Sequence, residues 1–60
     1  MGEKIRELRE KRGLSQKQLA DALGIDQSAI ARWETGANEP TAFNIRRLAD
    51  ILGVPPGDLF

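Results

Sequence analysis

Residues 15–36 read SQKQLADALGIDQSAIARWETG, and this stretch decides the fold. Ser15 can accept a hydrogen bond from the backbone amide of Gln18, while the Gln18 side chain can reach back to the amide of Ser15. Apolar residues then recur at helical spacing as far as Gly24, which can adopt the left-handed conformation that ends a helix. The pattern therefore predicts a short, well-capped helix.

A second helix follows almost at once. Asp26 is a favourable N-cap residue, and Ile25 and Ile30 occupy the two positions of a hydrophobic staple around it. This helix should end near Gly36. A connection as short as Gly24 and Ile25 holds two helices at a steep angle, which predicts a helix-turn-helix unit rather than an antiparallel hairpin.

Outside this unit the chain is also predicted to be helical, because no stretch alternates with period two. A first helix is expected over residues 3–12, a fourth from the cap Thr41 to Gly53, and a short fifth turn beginning at Pro56. We therefore predict an all-α fold of four helices and a terminal turn. The whole chain, 1–60, is expected to be one domain, with the helix-turn-helix at about 15–34.

Composition excludes several classes of function. The chain has no cysteine and no histidine, so neither a thiolate nor an imidazole metal site is expected, and we predict no cofactor and no enzymatic activity. No apolar run approaches the roughly 20 residues of a membrane span, which favours a cytoplasmic protein without a membrane partner. Nine basic and nine acidic residues cancel, although residues 1–32 carry net +2 and residues 33–60 net −2.

One carboxylate lies in an apolar stripe. On the third helix, Glu34 follows Ile30 and Trp33 at helical spacing, so it lies at the edge of the buried face. Arg9 has the equivalent place on the first helix. We predict that Arg9 and Glu34 form a two-point ion pair that orients the third helix on the first. The alternative is that Glu34 is a solvated residue in the last helical turn.

The stretch from Ser15 to Gly36 resembles the Cro and phage-repressor type of helix-turn-helix, a xenobiotic-response-element-like and lambda-repressor-like DNA-binding family. The resemblance extends from Ile5 to about Leu59. It is carried by Leu19, Ala20, Leu23, Gly24, Ile25, Ile30 and Trp33. It implies a lambda-repressor-like bundle that binds double-stranded DNA, usually as a transcriptional repressor, and it supports an ion pair between the first and third helices.

In this class the second helix of the unit lies in the major groove. With Trp33 and Glu34 facing inward, the outer face presents Gln27, Ser28 and Arg32 as candidate base-reading residues. Gln27 suits adenine and Arg32 suits guanine, while Ser28 can face a base or a phosphate. Taken without the resemblance, these side chains are ordinary solvated residues.

Phosphate contacts are expected from the start of the second helix, where unpaired amides and the helix dipole attract anions. We predict Gln16 and Lys17 there, and Asn38 in the loop before the fourth helix. By resemblance, Gln16 also supports the reading helix. The loop contains Glu39 and no basic residue, so the electrostatic part of any DNA affinity should be small.

Phe43 departs from the family pattern, because it lies one residue off the apolar stripe of the fourth helix. One interpretation is a homodimer contact, since such proteins usually bind two-fold symmetric operators as dimers. In the other, Phe43 folds back over Ala42.

Three hypotheses for function remain open. The first is sequence-specific DNA binding by a transcriptional repressor. The second is a protein-interaction or antitoxin-type module of the same fold, which zero net charge and an exposed Phe43 would suit. The third is an engineered scaffold without a ligand. The operator sequence is not readable from the chain, and sixty residues fit either a complete small regulator or a domain of a larger one.

Overall fold

The computed structural model describes residues 1–60, and every regular element in it is helical. The elements are α1 (Gly2–Lys11), α2 (Gln16–Leu23), α3 (Gln27–Thr35), α4 (Ala42–Leu52) and a terminal 3-10 turn (Pro56–Leu59). The predicted all-α fold, with its fifth short turn, is confirmed. Helix α1 begins and ends one residue earlier than the sequence predicted, because the carbonyl of Met1 already accepts the amides of Lys4 and Ile5.

Side-chain caps explain where α2 and α4 begin. At the start of α2, Gln18 N donates to Ser15 Oγ at 3.0 Å, and Ser15 N donates to Gln18 Oε1 at 2.7 Å. At the start of α4, the hydroxyl of Thr41 accepts the amide of Asn44 at 3.2 Å. Both predicted caps are therefore present.

Asp26 lies at the start of α3, as the sequence predicts. Asp26 occupies the N-cap position of α3, but its carboxylate accepts no capping hydrogen bond. The amide of Ala29, which such a cap would bind, donates instead to the backbone carbonyl of Asp26 at 3.0 Å. This tighter first turn leaves the Asp26 carboxylate exposed to solvent.

The core lies where α1 and α2 meet α3 on one side and α4 meets the terminal turn on the other. Each helix contributes its apolar stripe, as its periodicity predicts. The buried apolar residues are Ile5, Leu19, Ala20, Leu23, Ile30, Trp33, Leu48, Ala49, Leu52 and Leu59. None of the helices combines the length and hydrophobicity that crossing a membrane requires.

Two arginine side chains donate hydrogen bonds to carbonyls at the C-termini of neighbouring helices. Arg12 Nη2 donates to the carbonyl of Ile51 at 3.2 Å, and Arg47 Nη2 donates to the carbonyl of Leu23 at 2.6 Å. The last carbonyls of a helix have no hydrogen-bond donor within the helix and lie at the negative end of its dipole. A guanidinium at this position supplies the missing donor and a favourable positive charge. These contacts tie α1 to α4 and α4 to α2.

The backbone of α1 approaches the end of α3 closely at Gly2. A Cβ atom placed on Gly2 would lie 2.5 Å from the carbonyl oxygens of both Trp33 and Glu34. Only a residue without a side chain fits this contact. Gly2 therefore allows the helix that carries Arg9 to pack directly on the helix that carries Glu34.

Candidate nucleic-acid interface

The ion pair that underlies the interface joins α1 to α3. Arg9 Nε donates to Glu34 Oε2 at 2.6 Å, and Arg9 Nη2 donates to Glu34 Oε1 at 3.1 Å. Arg9 Nη1 donates to the carbonyl of Leu14 at 2.8 Å. The side chains of Arg9 and Glu34 are only 10% and 4% exposed, so the structure brings the two residues together in a site almost closed to water.

Glu34 stabilises the positive charge of Arg9. The hydrogen bond to Glu34 raises the pKa of Arg9 above its ordinary value, and the attraction of that carboxylate adds to it, against the opposing effect of burial. A group with a raised pKa loses its contribution to stability only when the pH rises through that value, which here lies beyond the range in which proteins are studied. Arg9 is therefore charged under all ordinary conditions.

A chain of hydrogen bonds runs from the ion pair to the outer face of α3. Gln16 Nε2 donates to Glu34 Oε1 at 3.1 Å, and Gln27 Nε2 donates to Gln16 Oε1 at 3.5 Å. Gln16 is half-buried, whereas Gln27 is exposed. The sequence did not predict that Gln16 contacts Glu34, because eighteen residues separate them and only the packing of α2 against α3 brings them together.

The base-reading candidates share one exposed face of α3. Gln27, Ser28 and Arg32 are all exposed, while Ile30 and Trp33 on the opposite side are buried, Ile30 completely. An α-helix with its side chains is roughly 10–12 Å across, and the major groove of B-DNA is roughly 12 Å wide. The face has the size and chemistry that entry into a major groove requires.

The phosphate candidates lie on two separate elements. Gln16 and Lys17 begin α2, and Lys17 Nζ contacts Asp21 Oδ2 at 3.2 Å in an exposed pair. Asn38 is exposed in the loop after α3, and its backbone amide donates to the carbonyl of Arg32 at 3.3 Å. Gln16 and Lys17 therefore lie together at the start of α2, whereas Asn38 lies in the loop beyond the end of α3.

Phe43 does not fold back over Ala42, so that interpretation is wrong. Its residue surface is 67% exposed, and the guanidinium of Arg47 lies over its ring, 5.5 Å from the centroid. Because Arg47 is fixed by its bond to the carbonyl of Leu23, it holds the ring on the outside of α4.

Two helices at a short glycine turn, with a buried inner face and a polar outer face on the second, define the helix-turn-helix class of protein. The chain matches the helix-turn-helix family over residues 5–59, and it belongs to that family. The predicted resemblance to the phage-repressor type of helix-turn-helix is confirmed by relatives named as a prophage-derived transcriptional regulator and a phage transcriptional repressor.

Two curated relatives and one solved structure illustrate the match. The chain is 38% identical over 53 residues to the SPbeta prophage-derived HTH-type transcriptional regulator YonR of Bacillus subtilis, and 34% identical over 56 residues to the cryptic phage CTXphi transcriptional repressor RstR of Vibrio cholerae. These alignments cover 88% and 93% of this chain. The chain spans about half the length of both relatives, 49% and 50%.

The structure is also similar to the restriction-modification controller protein C.AhdI of Aeromonas hydrophila. The two share a TM-score of 0.91 and 41% sequence identity, over 98% of this chain and 89% of the other. At this similarity the two chains share the same fold.

Proposed function

We propose that this protein binds double-stranded DNA in a sequence-specific manner and acts as a transcriptional regulator of the repressor type. The observation that carries the proposal is the outward face of α3, where Gln27 and Arg32 are exposed while Trp33 behind them is buried. The relatives named as a transcriptional regulator and a transcriptional repressor support it. We propose a binding role rather than a catalytic one, and DNA as a partner implies action in the cytoplasm.

Each candidate residue has a defined task in this proposal. Gln27 reads adenine, Arg32 reads guanine, and Ser28 contacts a base or the adjacent phosphate. Gln16, Lys17 and Asn38 contact the backbone; Lys17 can leave Asp21 for a phosphate, since their pair is largely exposed. The DNA-binding domain in this account is the chain 1–60, with the helix-turn-helix at about 15–34.

We further propose that two copies bind a two-fold symmetric operator, with Phe43 in the contact between them. An apolar ring held outward on α4 by Arg47 is a surface that a second copy could cover. Symmetric association would place two α3 helices about one DNA turn apart. Doubling the contacts would offset the small electrostatic attraction expected from a chain without net charge.

A protein-interaction module is the second candidate function, and the same exposed Phe43 favours it. A module of this kind would bind another protein and have no affinity for duplex DNA. It would also tolerate substitutions on the outer face of α3.

Selection of bound sites from a randomised duplex library, preceded by titration with random duplex at low salt, tests the proposal. DNA binding predicts weak affinity for the random duplex and enrichment of a symmetric site with adenine and guanine at positions read by Gln27 and Arg32. As a matched control, Arg6→Ala removes an exposed arginine from α1 and should leave the selected site unchanged. No affinity for random duplex at low salt, together with no enrichment, would exclude the function.

A further inference from the structure

We propose that Thr35, the last residue of α3, positions Asn38 for its contact with a DNA phosphate. This inference rests on the proposed function and adds a residue to the same site. The hydroxyl of Thr35 joins the end of α3 to the loop 36–41, which carries Asn38. Thr35 is a positioning residue, since its hydroxyl is not proposed to touch the DNA.

The hydroxyl of Thr35 makes two hydrogen bonds within the protein. Thr35 Oγ1 donates to the carbonyl of Arg32 at 3.2 Å and accepts the backbone amide of Ala37 at 3.4 Å. A threonine hydroxyl has a single hydrogen, and here that hydrogen is directed to Arg32. Although Thr35 is exposed, its hydroxyl therefore has no hydrogen left for a base or a phosphate.

The carbonyl of Arg32 holds the loop a second time. The backbone amide of Asn38 donates to this carbonyl at 3.3 Å, so one oxygen accepts from both Thr35 and Asn38. The last carbonyls of a helix lack donors within the helix, and each carbonyl oxygen has two lone pairs. The loop folds back on α3 and supplies a donor there. Asn38 is thereby tied to the backbone of Arg32, a proposed base-reading residue.

The loop is anchored on both sides of Asn38. Gly36 has a positive φ of 84°, which lets the chain turn back at the end of α3, and Pro40 is buried on the other side. The side chain of Asn38 is exposed between these two points. A group that is already ordered loses less conformational freedom on binding. The hydrogen bonds of Thr35 should therefore raise the affinity for DNA without adding a contact to it.

Two substitutions of Thr35 and one of Asn38 test this role on the duplex selected by the protein. Thr35→Val removes the hydroxyl but retains the branched shape, and Thr35→Ser retains the hydroxyl. We expect Thr35→Val to weaken binding roughly 2- to 12-fold, which corresponds to the loss of about one hydrogen bond, and Thr35→Ser to bind like the wild-type chain. In an Asn38→Ala background, Thr35→Val should cause no further loss, because the two residues act through one contact.

A phosphate contact carries no sequence information, so Thr35→Val should weaken binding to the selected duplex and to its single-base variants by the same factor. An equal loss in the presence and absence of the Asn38 side chain would overturn the proposal, because Thr35 would then act on the DNA independently. A changed base preference would contradict it by showing an effect on α3 itself. Wild-type affinity of either Thr35→Val or Asn38→Ala would also refute it.

A measurement on the free protein separates failure of this inference from failure of the proposed function. Amide hydrogen exchange by NMR should show protection of Ala37 and Asn38 in the wild-type chain and in Thr35→Ser, and faster exchange in Thr35→Val. Protection without any sequence-specific DNA binding would refute the function and leave the role of Thr35 in the loop intact. Unprotected amides in the wild-type chain would refute that role even if DNA is bound.

Discussion

At the scale of single residues, the ion pair with Arg9 explains why the carboxylate of Glu34 can lie beside the buried Trp33. Both carboxylate oxygens of Glu34 accept hydrogen bonds within the protein, Oε2 from Arg9 and Oε1 from Arg9 and Gln16. A buried pair of this kind adds little stability over an apolar pair, but each charge depends on the other. We therefore interpret it as a device that fixes the orientation of α3 on α1.

Substitution of Glu34 by alanine should cost about 3–5 kcal/mol of unfolding free energy, because it leaves Arg9 charged and buried without its partner. Thermal or denaturant melting measures the loss. Asp21→Ala is the matched control, since it breaks an ion pair with Lys17 that is more than half exposed and should change the melt little. A loss below about 1 kcal/mol for Glu34→Ala would show that the pair has no locking role.

A second prediction concerns Gly2, whose importance the sequence did not indicate. Gly2→Ala places a methyl group 2.5 Å from two backbone carbonyl oxygens, so α1 must move away from α3, at a cost of about 1–3 kcal/mol. Gly57→Ala is the control, because nothing lies within 4 Å of a Cβ at that position. Equal melting of the two variants would mean that the contact at Gly2 is not needed for packing.

At the scale of elements, short helices are held by their ends. Helix α2 has only eight residues, too few to be stable alone, and it is closed by a capping box at one end and by Gly24 and Arg47 at the other. Arg47 thus connects the helix that begins the interface with α4. Helix α3 is held by the ion pair at its end, while its first turn lacks a side-chain cap.

Replacement of Arg47 by alanine should lower the unfolding free energy by about 1–2 kcal/mol, because the carbonyl of Leu23 loses a charged donor at the end of α2. The neighbouring Arg46 is exposed and provides a control with the same change of charge. Denaturant melts of Arg47→Ala and Arg46→Ala decide the matter. Similar midpoints for the two variants would refute the role of Arg47 as a cap.

The helix-turn-helix and its ends were predictable from local sequence, because capping boxes, staples and glycine stops act within a few residues. The pairing of Arg9 with Glu34 was predictable because both charges interrupt an apolar stripe at the same spacing. The bonds of Arg47 to Leu23 and of Gln16 to Glu34 were not, since each joins two elements whose relative placement no local pattern encodes. Asp26 occupies the predicted N-cap position, although the amide of Ala29 donates to its backbone carbonyl and not to its side chain.

For the whole molecule, charge is the quantity that sets how strongly DNA is attracted. Nine basic and nine acidic groups cancel, and the exposed carboxylate of Asp26 stands at the start of the proposed reading helix. The structure shows that this carboxylate caps nothing. Its removal should therefore affect DNA binding without affecting the fold.

We expect Asp26→Asn to raise affinity for random duplex roughly two- to fivefold at low salt, because a repulsive charge near the phosphates disappears, and to leave the melting curve unchanged. Asp50→Asn makes the same change of charge on α4 and should alter neither quantity. Fluorescence anisotropy with a labelled duplex gives the affinity. Equal affinities for the two variants would place Asp26 away from the DNA.

The affinity of Gln27→Ala for the selected duplex, measured beside its affinity for random duplex, tests most directly whether the outer face of α3 reads bases. Gln27 is exposed and uncharged, so its removal should not change the attraction to phosphates. The account predicts a loss of about 1–3 kcal/mol on the selected site and no change on random duplex. Equal affinity of the variant and the wild-type chain for the selected site would contradict it.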